Sequence, residues 1–328
     1  MGEFDLIARY FARVIPELGH AGAGARTVAV GIGDDCAVLT PTPGHQWLVS
    51  ADMLVEGRHF LSTVSPRRLG HKALAVNLSD LAACGASPRA FFLSLALPRV
   101  DEAFLAGFSQ GMFELADAHG IVLAGGDTTA GPLNINITVM GETPTGQALL
   151  RSGARPGHEV WVSGTLGDAR LALEVFRGTL SLPGAQFDEA RLRMEMPEPR
   201  VALGRALRGI ASAAIDVSDG LIGDIGHVLQ RSGVGATLRL ADLPRSAILG
   251  AQPEDVQQLC LLTGGDDYEL VFTARAEDRE RVIAAGRESG TPVYRVGRID
   301  AEPGLRVVDG AGRPLALTAL SAFDHFKT

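Results

Sequence analysis

The chain has 328 residues, 46% of them hydrophobic and 21% charged, with a formal net charge of -8. That is enough for two domains and ordinary for a soluble globular protein. No long basic run offsets the acidic balance, which argues against nonspecific binding to nucleic acid or to an anionic membrane surface. The three cysteines, Cys36, Cys84 and Cys260, are odd in number and widely spaced. They suggest neither a disulfide framework nor a zinc site, and read as small core residues in a reducing cytoplasm.

The opening residues carry acids and lack an apolar stretch followed by a cleavage site, and Leu6 spoils the myristoylation pattern. No apolar run reaches transmembrane length. The expectation is a cytoplasmic enzyme. Residues 3–18 repeat apolar side chains at helical spacing, and a short strand follows at 28–30. Gly31-Ile-Gly-Asp-Asp-Cys-Ala37 begins like a dinucleotide fingerprint, but Cys36 replaces the third glycine and a strand is expected next, so that reading is rejected. The strand 47–55 puts Ser50 and Asp52 on one face, a spacing that suits two ligands of one ion or a solvated edge. His59 lies in the polar loop after it.

Ser65 caps a helix that Pro66 begins and Gly85 ends. Within it Asn77 and Asp80 share one face among apolar neighbours, which leaves Asp80 in need of a cation or a donor. A strand at 90–97 and a helix at 102–119 lead to Val122-Leu-Ala-Gly-Gly-Asp-Thr-Thr129, where an apolar strand is expected to stop at Gly125-Gly126 and present Asp127. An alternating strand spans 133–141. Residues 150–157 are short, polar and rich in turn formers, which puts the domain boundary there, with one domain at 1–148 and the other at 149–328. Beyond it the pattern gives strands at 159–163, 213–217, 236–240, 268–273, 293–299 and 305–308. Helices are expected at 168–177, 188–195, 199–210, 222–231 and 277–289. The fold class is α/β (α+β).

Acid clusters recur along both halves: Asp34-Asp35, Ser50-Ala-Asp52, Asn77-Leu-Ser-Asp80, Asp127, Asp216-Val-Ser-Asp-Gly220 and Gly264-Gly-Asp-Asp-Tyr-Glu269. Buried carboxylates are costly unless paired or bound to a cation, and Mg2+ commonly bridges carboxylates to substrate phosphates. This suggests a phosphate site with several metal ions. The only lysines are Lys72 and Lys327, so no P-loop exists, and the protein-kinase catalytic sequence is also absent. Phosphate must be met by arginine, backbone N–H groups and metal ions.

The ordered set made by those clusters with Arg151-Ser-Gly153 and Phe323-Asp-His-Phe326 resembles the thiamine-monophosphate kinase family, within the aminoimidazole-ribonucleotide synthetase-like superfamily. The resemblance implies a two-domain fold whose N-terminal sheet pairs with that of a second copy into a barrel-like homodimer core. It implies transfer of the ATP γ-phosphoryl group to thiamine phosphate, with Asp127, Arg151 and Asp216 central to the chemistry. Several Mg2+ ions would be held by Asp35, Ser50, Ala51 through its carbonyl, Asp52, Asp80, Asp127, Asp216 and Asp219. Gly126, Asp127, Arg151 and Ser218 would meet ATP, and His59, Asp266 and Phe323 thiamine phosphate. Ala51 and Asp266 depart from the family's commoner residues there.

Two other readings compete. One is a synthetase of the same superfamily that also uses ATP and Mg2+; no Cys-x-x-x-Lys stretch near the N-terminus supports a selenophosphate enzyme. The other is a noncatalytic metal- or nucleotide-binding protein.

Overall fold

The computed structural model describes residues 2–13 and 27–316. Two compact units emerge: Met1–Leu81 with Ala86–Gly146, and Ala82–Gly85 with Gln147–Thr328.

In the first unit the opening helix is Glu3–Tyr10, and Phe11 leaves helical geometry at φ -123. The expected helix ran to 18, of which residues 14–18 lie outside the described residues. β1 (Val28–Val30) pairs antiparallel with β2 (Val38–Leu39), so a strand does come after Cys36, as rejecting the dinucleotide fingerprint requires. The four-stranded sheet has the order β3 (His45–Val55), β6 (Asn134–Pro144), β4 (Ser87–Leu97), β5 (Val122–Ala130). β6 alternates: Ile135, Ile137 and Val139 are buried while Asn134, Asn136 and Thr138 are less so.

β4 and β5 are parallel and therefore need a crossover. The helix Glu102–His119 supplies it, capped by Asp101, which accepts the Phe104 N–H at 3.0 Å, and closed by Gly120 at φ 62. The helix Pro66–Ala83 starts as its sequence signals, with the Ser65 hydroxyl accepting the Arg68 N–H at 3.4 Å. Both of its faces are covered, Leu69, Leu74, Leu78 and Leu81 being 1% exposed or less. Glycine permits the crossing of these two helices: a Cβ on Gly111 would lie 1.8 Å from the Arg67 carbonyl oxygen.

In the second unit the sheet order is β12 (Gly304–Val308), β9 (Gly235–Arg239), β11 (Val293–Asp300), β7 (Glu159–Ser163), β10 (Leu270–Ala274), β8 (Ala211–Asp216). All neighbours are antiparallel except β12 and β9. One face packs Val160, Val162, Ile215 and Val271 against Ile225 and Val228 of the helix Leu221–Ser232. The helix expected at 199–210 is only Val201–Ala206, and the one expected at 188–195 begins earlier, at Gly184. The helices Ala247–Gly250 and Glu254–Thr263 were not foreseen. The longer one buries Cys260, Leu261, Leu262 and Thr263, an apolar cluster at one end and not a repeating stripe, so periodicity gives no signal.

Of the cysteines only Cys260 is buried, with its thiol pushed up to about 12, chiefly by that burial. Cys36 is exposed, which corrects the expectation of three core residues. Among the described residues no helix is long and apolar enough to cross a membrane.

Candidate active site

β3 carries the first group of polar residues. Its period of two turns Ser50 and Asp52 toward the helix Pro66–Ala83 and leaves Val49, Ala51 and Met53 exposed. The Ser50 hydroxyl donates to Asp80, and the Asp52 N–H donates to the Asn77 side-chain oxygen at 3.0 Å. Asn77 in turn donates to the Ala73 carbonyl at 3.0 Å. The strand and the helix thus bring Ser50, Asp52 and Asp80 together, and Asp80 has its donor. His59 accepts the Val55 N–H on Nδ1 at 2.9 Å, which puts the proton of the neutral ring on Nε2.

Asp127 is placed differently from expectation. β5 does not stop at Gly125-Gly126 but continues to Ala130, and Asp127 pairs with Ser94 in mid-strand. The register shifts where Leu123 faces Phe91 and Gly125 faces Phe92, so Ala124 is an extra residue, a bulge that re-aims the side chains beyond it. Gly126 stands at φ 146, where a Cβ would lie 1.8 Å from the Leu93 carbonyl oxygen. Asp127 itself is exposed. β6 and β4 separate β5 from β3, about 14 Å at ordinary strand spacing, which suits separate ions for Asp127 and for the Ser50–Asp80 group. Asp35 is exposed in the turn before β2.

In the second unit, two loops close on each other at the end of β8. Asp216, 5% exposed, ends that strand. The N–H groups of Tyr268 and Asp266 then donate to the carbonyls of Val217 and Ser218, both at 2.9 Å. Gly265 lies so near that a Cβ would sit 2.4 Å from the Ser218 carbonyl oxygen. Asp266 and Tyr268 both have positive φ, 65 and 51, and such strain persists only where surrounding contacts hold it. The Tyr268 hydroxyl donates to Asp266 at 3.0 Å, so the carboxylate expected to meet substrate is oriented by its neighbour.

Asp224, which motif reading missed, completes this group. It is 3% exposed and accepts the N–H groups of Asp219 and Gly220 at 3.1 and 3.0 Å. Burial above all, then the charges of Asp216 and Asp219, push its carboxyl up to about 8. The available signal was an acid in the first turn of a helix, four residues past Gly220.

The remaining acids of Gly264–Glu269 are structural. Glu269 is buried and paired with Arg200, whose Nε donates at 2.8 Å, and it accepts the Ser163 hydroxyl at 2.5 Å. Both oxygens of Asp267 accept the Gly167 N–H, at 2.9 and 3.0 Å. Burial first, then Asp168, Glu269 and Asp266, push its carboxyl well above the usual range.

Among the described residues no three His, Cys, Asp or Glu side chains form a ready-made metal cage. Mg2+ needs none, since it keeps waters and binds through one or two carboxylates plus substrate phosphates. The crowding of Asp216, Asp219 and Asp224 and the all-oxygen donor set on β3 fit such an ion. Arg151 is exposed in the second unit, and Phe323 lies outside the described residues.

Comparison with known proteins supplies the context. Residues 33–143 match the AIR synthase related protein N-terminal domain and residues 155–310 its C-terminal domain. The chain is 43% identical over 330 residues to thiamine-monophosphate kinase of Escherichia coli strain K12, covering 100% of this chain and 99% of that protein. A crystal structure of thiamine-monophosphate kinase from Stenotrophomonas maltophilia is 44% identical, with TM-score 0.82, over 86% of this chain and 91% of that one. AaThiL complexed with AMPPCP and TMP is 29% identical, with TM-score 0.75, over 88% and 89%.

Proposed function

The chain belongs to the thiamine-monophosphate kinase family of AIR synthase related proteins, and from that premise we propose that it phosphorylates thiamine phosphate with ATP to give thiamine diphosphate. The observation that carries this reading is identity of 43% across the whole chain, with the acid clusters of both units falling inside the matched regions.

The transfer is direct and in line, with no covalent intermediate. The acceptor is a phosphate monoester whose second pKa is about 6, so its oxygen is anionic at neutral pH and needs no general base. The obstacle is repulsion between two phosphorylated molecules among carboxylates. Several Mg2+ ions, when bound, neutralise that charge and align the reacting oxygens. On the first unit Asp35, Ser50, the Ala51 carbonyl, Asp52, Asp80 and Asp127 would hold them; on the second, Asp216 and Asp219 would.

Gly126 offers bare backbone to the triphosphate, Ser218 a hydroxyl, and Arg151 a planar fork of donors. The tautomer favoured by the Val55 N–H lets His59 donate from Nε2 to the thiamine phosphate. Asp266, steadied by Tyr268, and Phe323 are assigned to the same substrate, for which a flat aromatic face would suit the cationic thiazolium or the pyrimidine.

Residues 1–148 then form the ATP, Mg2+ and dimerisation domain, and residues 149–328 the second. Edge strand β3 exposes Val49 at 60% and Met53 at 52%, which supports pairing with a second copy. Light scattering that gives a monomer at working concentration removes the homodimer.

Incubation of equimolar ATP and thiamine phosphate with enzyme and Mg2+, followed by phosphorus NMR, tests the activity. ADP and thiamine diphosphate should appear together. Turnover of another acceptor without thiamine diphosphate would overturn the reading.

A further inference from the structure

The loop that carries Arg151 is clamped from two sides. The Leu150 carbonyl accepts the Ala214 N–H of β8 at 2.9 Å. Gly153, at φ 120, lies flush on the same strand, where a Cβ would be 2.2 Å from the Ser212 carbonyl oxygen. From the other side comes Ser232, the last residue of the helix Leu221–Ser232. Its hydroxyl donates to the Arg151 carbonyl at 3.3 Å and accepts the N–H groups of Gly153 and Ala154, each at 3.2 Å. A single hydroxyl therefore closes the turn that begins at Arg151.

We infer that Ser232 is a positioning residue for ATP binding, acting through Arg151 without touching the nucleotide; this rests on the assignment of Arg151 to ATP. An arginine fork meets two phosphate oxygens only from a narrow range of directions, and the direction in which its side chain leaves the backbone is set here by that turn. Fixing the turn beforehand lowers the entropy lost when the guanidinium docks. Alanine at position 232 keeps the helix and removes all three hydrogen bonds. Threonine keeps the hydroxyl.

The test compares wild type with Ser232→Ala, Ser232→Thr, Arg151→Ala and the double variant Ser232→Ala/Arg151→Ala, measuring kcat and KM for each substrate. Ser232→Ala should raise KM for ATP about tenfold, the scale of one lost positioning hydrogen bond. KM for thiamine phosphate should stay at the wild-type value, and Ser232→Thr should restore ATP binding. Once Arg151 is alanine, Ser232→Ala should add nothing further. The inference is overturned by an unchanged KM for ATP, by equal weakening of both substrates, or by effects that add in the double variant. An Arg151→Ala enzyme with normal KM for ATP overturns the assignment of Arg151, and the inference with it; phosphorus NMR reads the overall reaction separately.

Discussion

Asp224 accepts the backbone N–H of Asp219 at 3.1 Å, so a buried carboxyl supports the loop that presents a second, partly exposed one. Burial and the nearby Asp216 and Asp219 raise Asp224 from 3.8 to about 8. Across that window the folded protein keeps a proton that the unfolded chain has lost. Stability should therefore fall as pH rises from about 4 to about 8, by at most about 1.4 kcal/mol per pH unit. Asparagine keeps the acceptor oxygen and cannot ionise, so Asp224→Asn should flatten this part of the profile. Urea midpoints at pH 5 and pH 8, taken without divalent cations, provide the check; the same pH dependence in both proteins would mean that Asp224 titrates normally.

Gly126 and Gly125 are adjacent but not equivalent. At Gly126 an added Cβ would lie 1.8 Å from the Leu93 carbonyl oxygen, on rigid backbone and at φ 146; at Gly125 it would meet only the Phe92 ring, at 3.2 Å. Gly126→Ala should cost about 3 kcal/mol or more, from strain and a parted β4–β5 ladder. Gly125→Ala should cost about 1 kcal/mol, since a ring edge can give. Thermal melting of the two variants ranks them, and equal loss would place the constraint elsewhere.

Local rules made part of this site readable in advance. A period of two put Ser50 and Asp52 on one face, and a spacing of three put Asn77 beside Asp80; the strand and the helix then met. The features that escaped depend on partners distant in sequence or on register. Glu269 sits among the acids of a motif yet is neutralised by Arg200, 69 residues away. The continuation of β5 past two glycines rests on the bulge at Ala124, which comes from pairing with β4 and not from the strand's own composition. Asp224 escaped because one acid in a first helical turn is common and only its burial sets it apart.

Arg200 tests the assignment of Glu269 to structure. The two side chains are 10% and 4% exposed, so removing the guanidinium strands a buried charge. Arg200→Ala should destabilise by about 3–5 kcal/mol. Arg200→Met combined with Glu269→Leu should cost less than the sum of the single changes. Denaturant titration measures both. If Glu269 instead held a metal ion, Glu269→Gln would weaken Mg2+ dependence of turnover while leaving the midpoint near wild type.

Asp127 offers the sharpest separation of chemistry from folding. Its side chain is exposed in mid-strand, and the residues that fix β5 around it are its backbone partners in β4 and the close contact of Gly126 with Leu93. Asparagine keeps the shape, so Asp127→Asn should melt within about 0.5 kcal/mol of wild type without ligands, as exposed substitutions do. If Asp127 holds Mg2+ as proposed, the lost charge matters only when ATP and Mg2+ arrive. An amide binds Mg2+ more weakly than a carboxylate and cannot offset the phosphate charge, so turnover should drop by about 1000-fold or more, the scale of losing one charge-stabilising group. Raising Mg2+ should recover only a small part of it. Initial rates across a magnesium titration, beside a melting curve of each protein, decide the matter: near-normal turnover at ordinary Mg2+ would take Asp127 out of the metal site altogether.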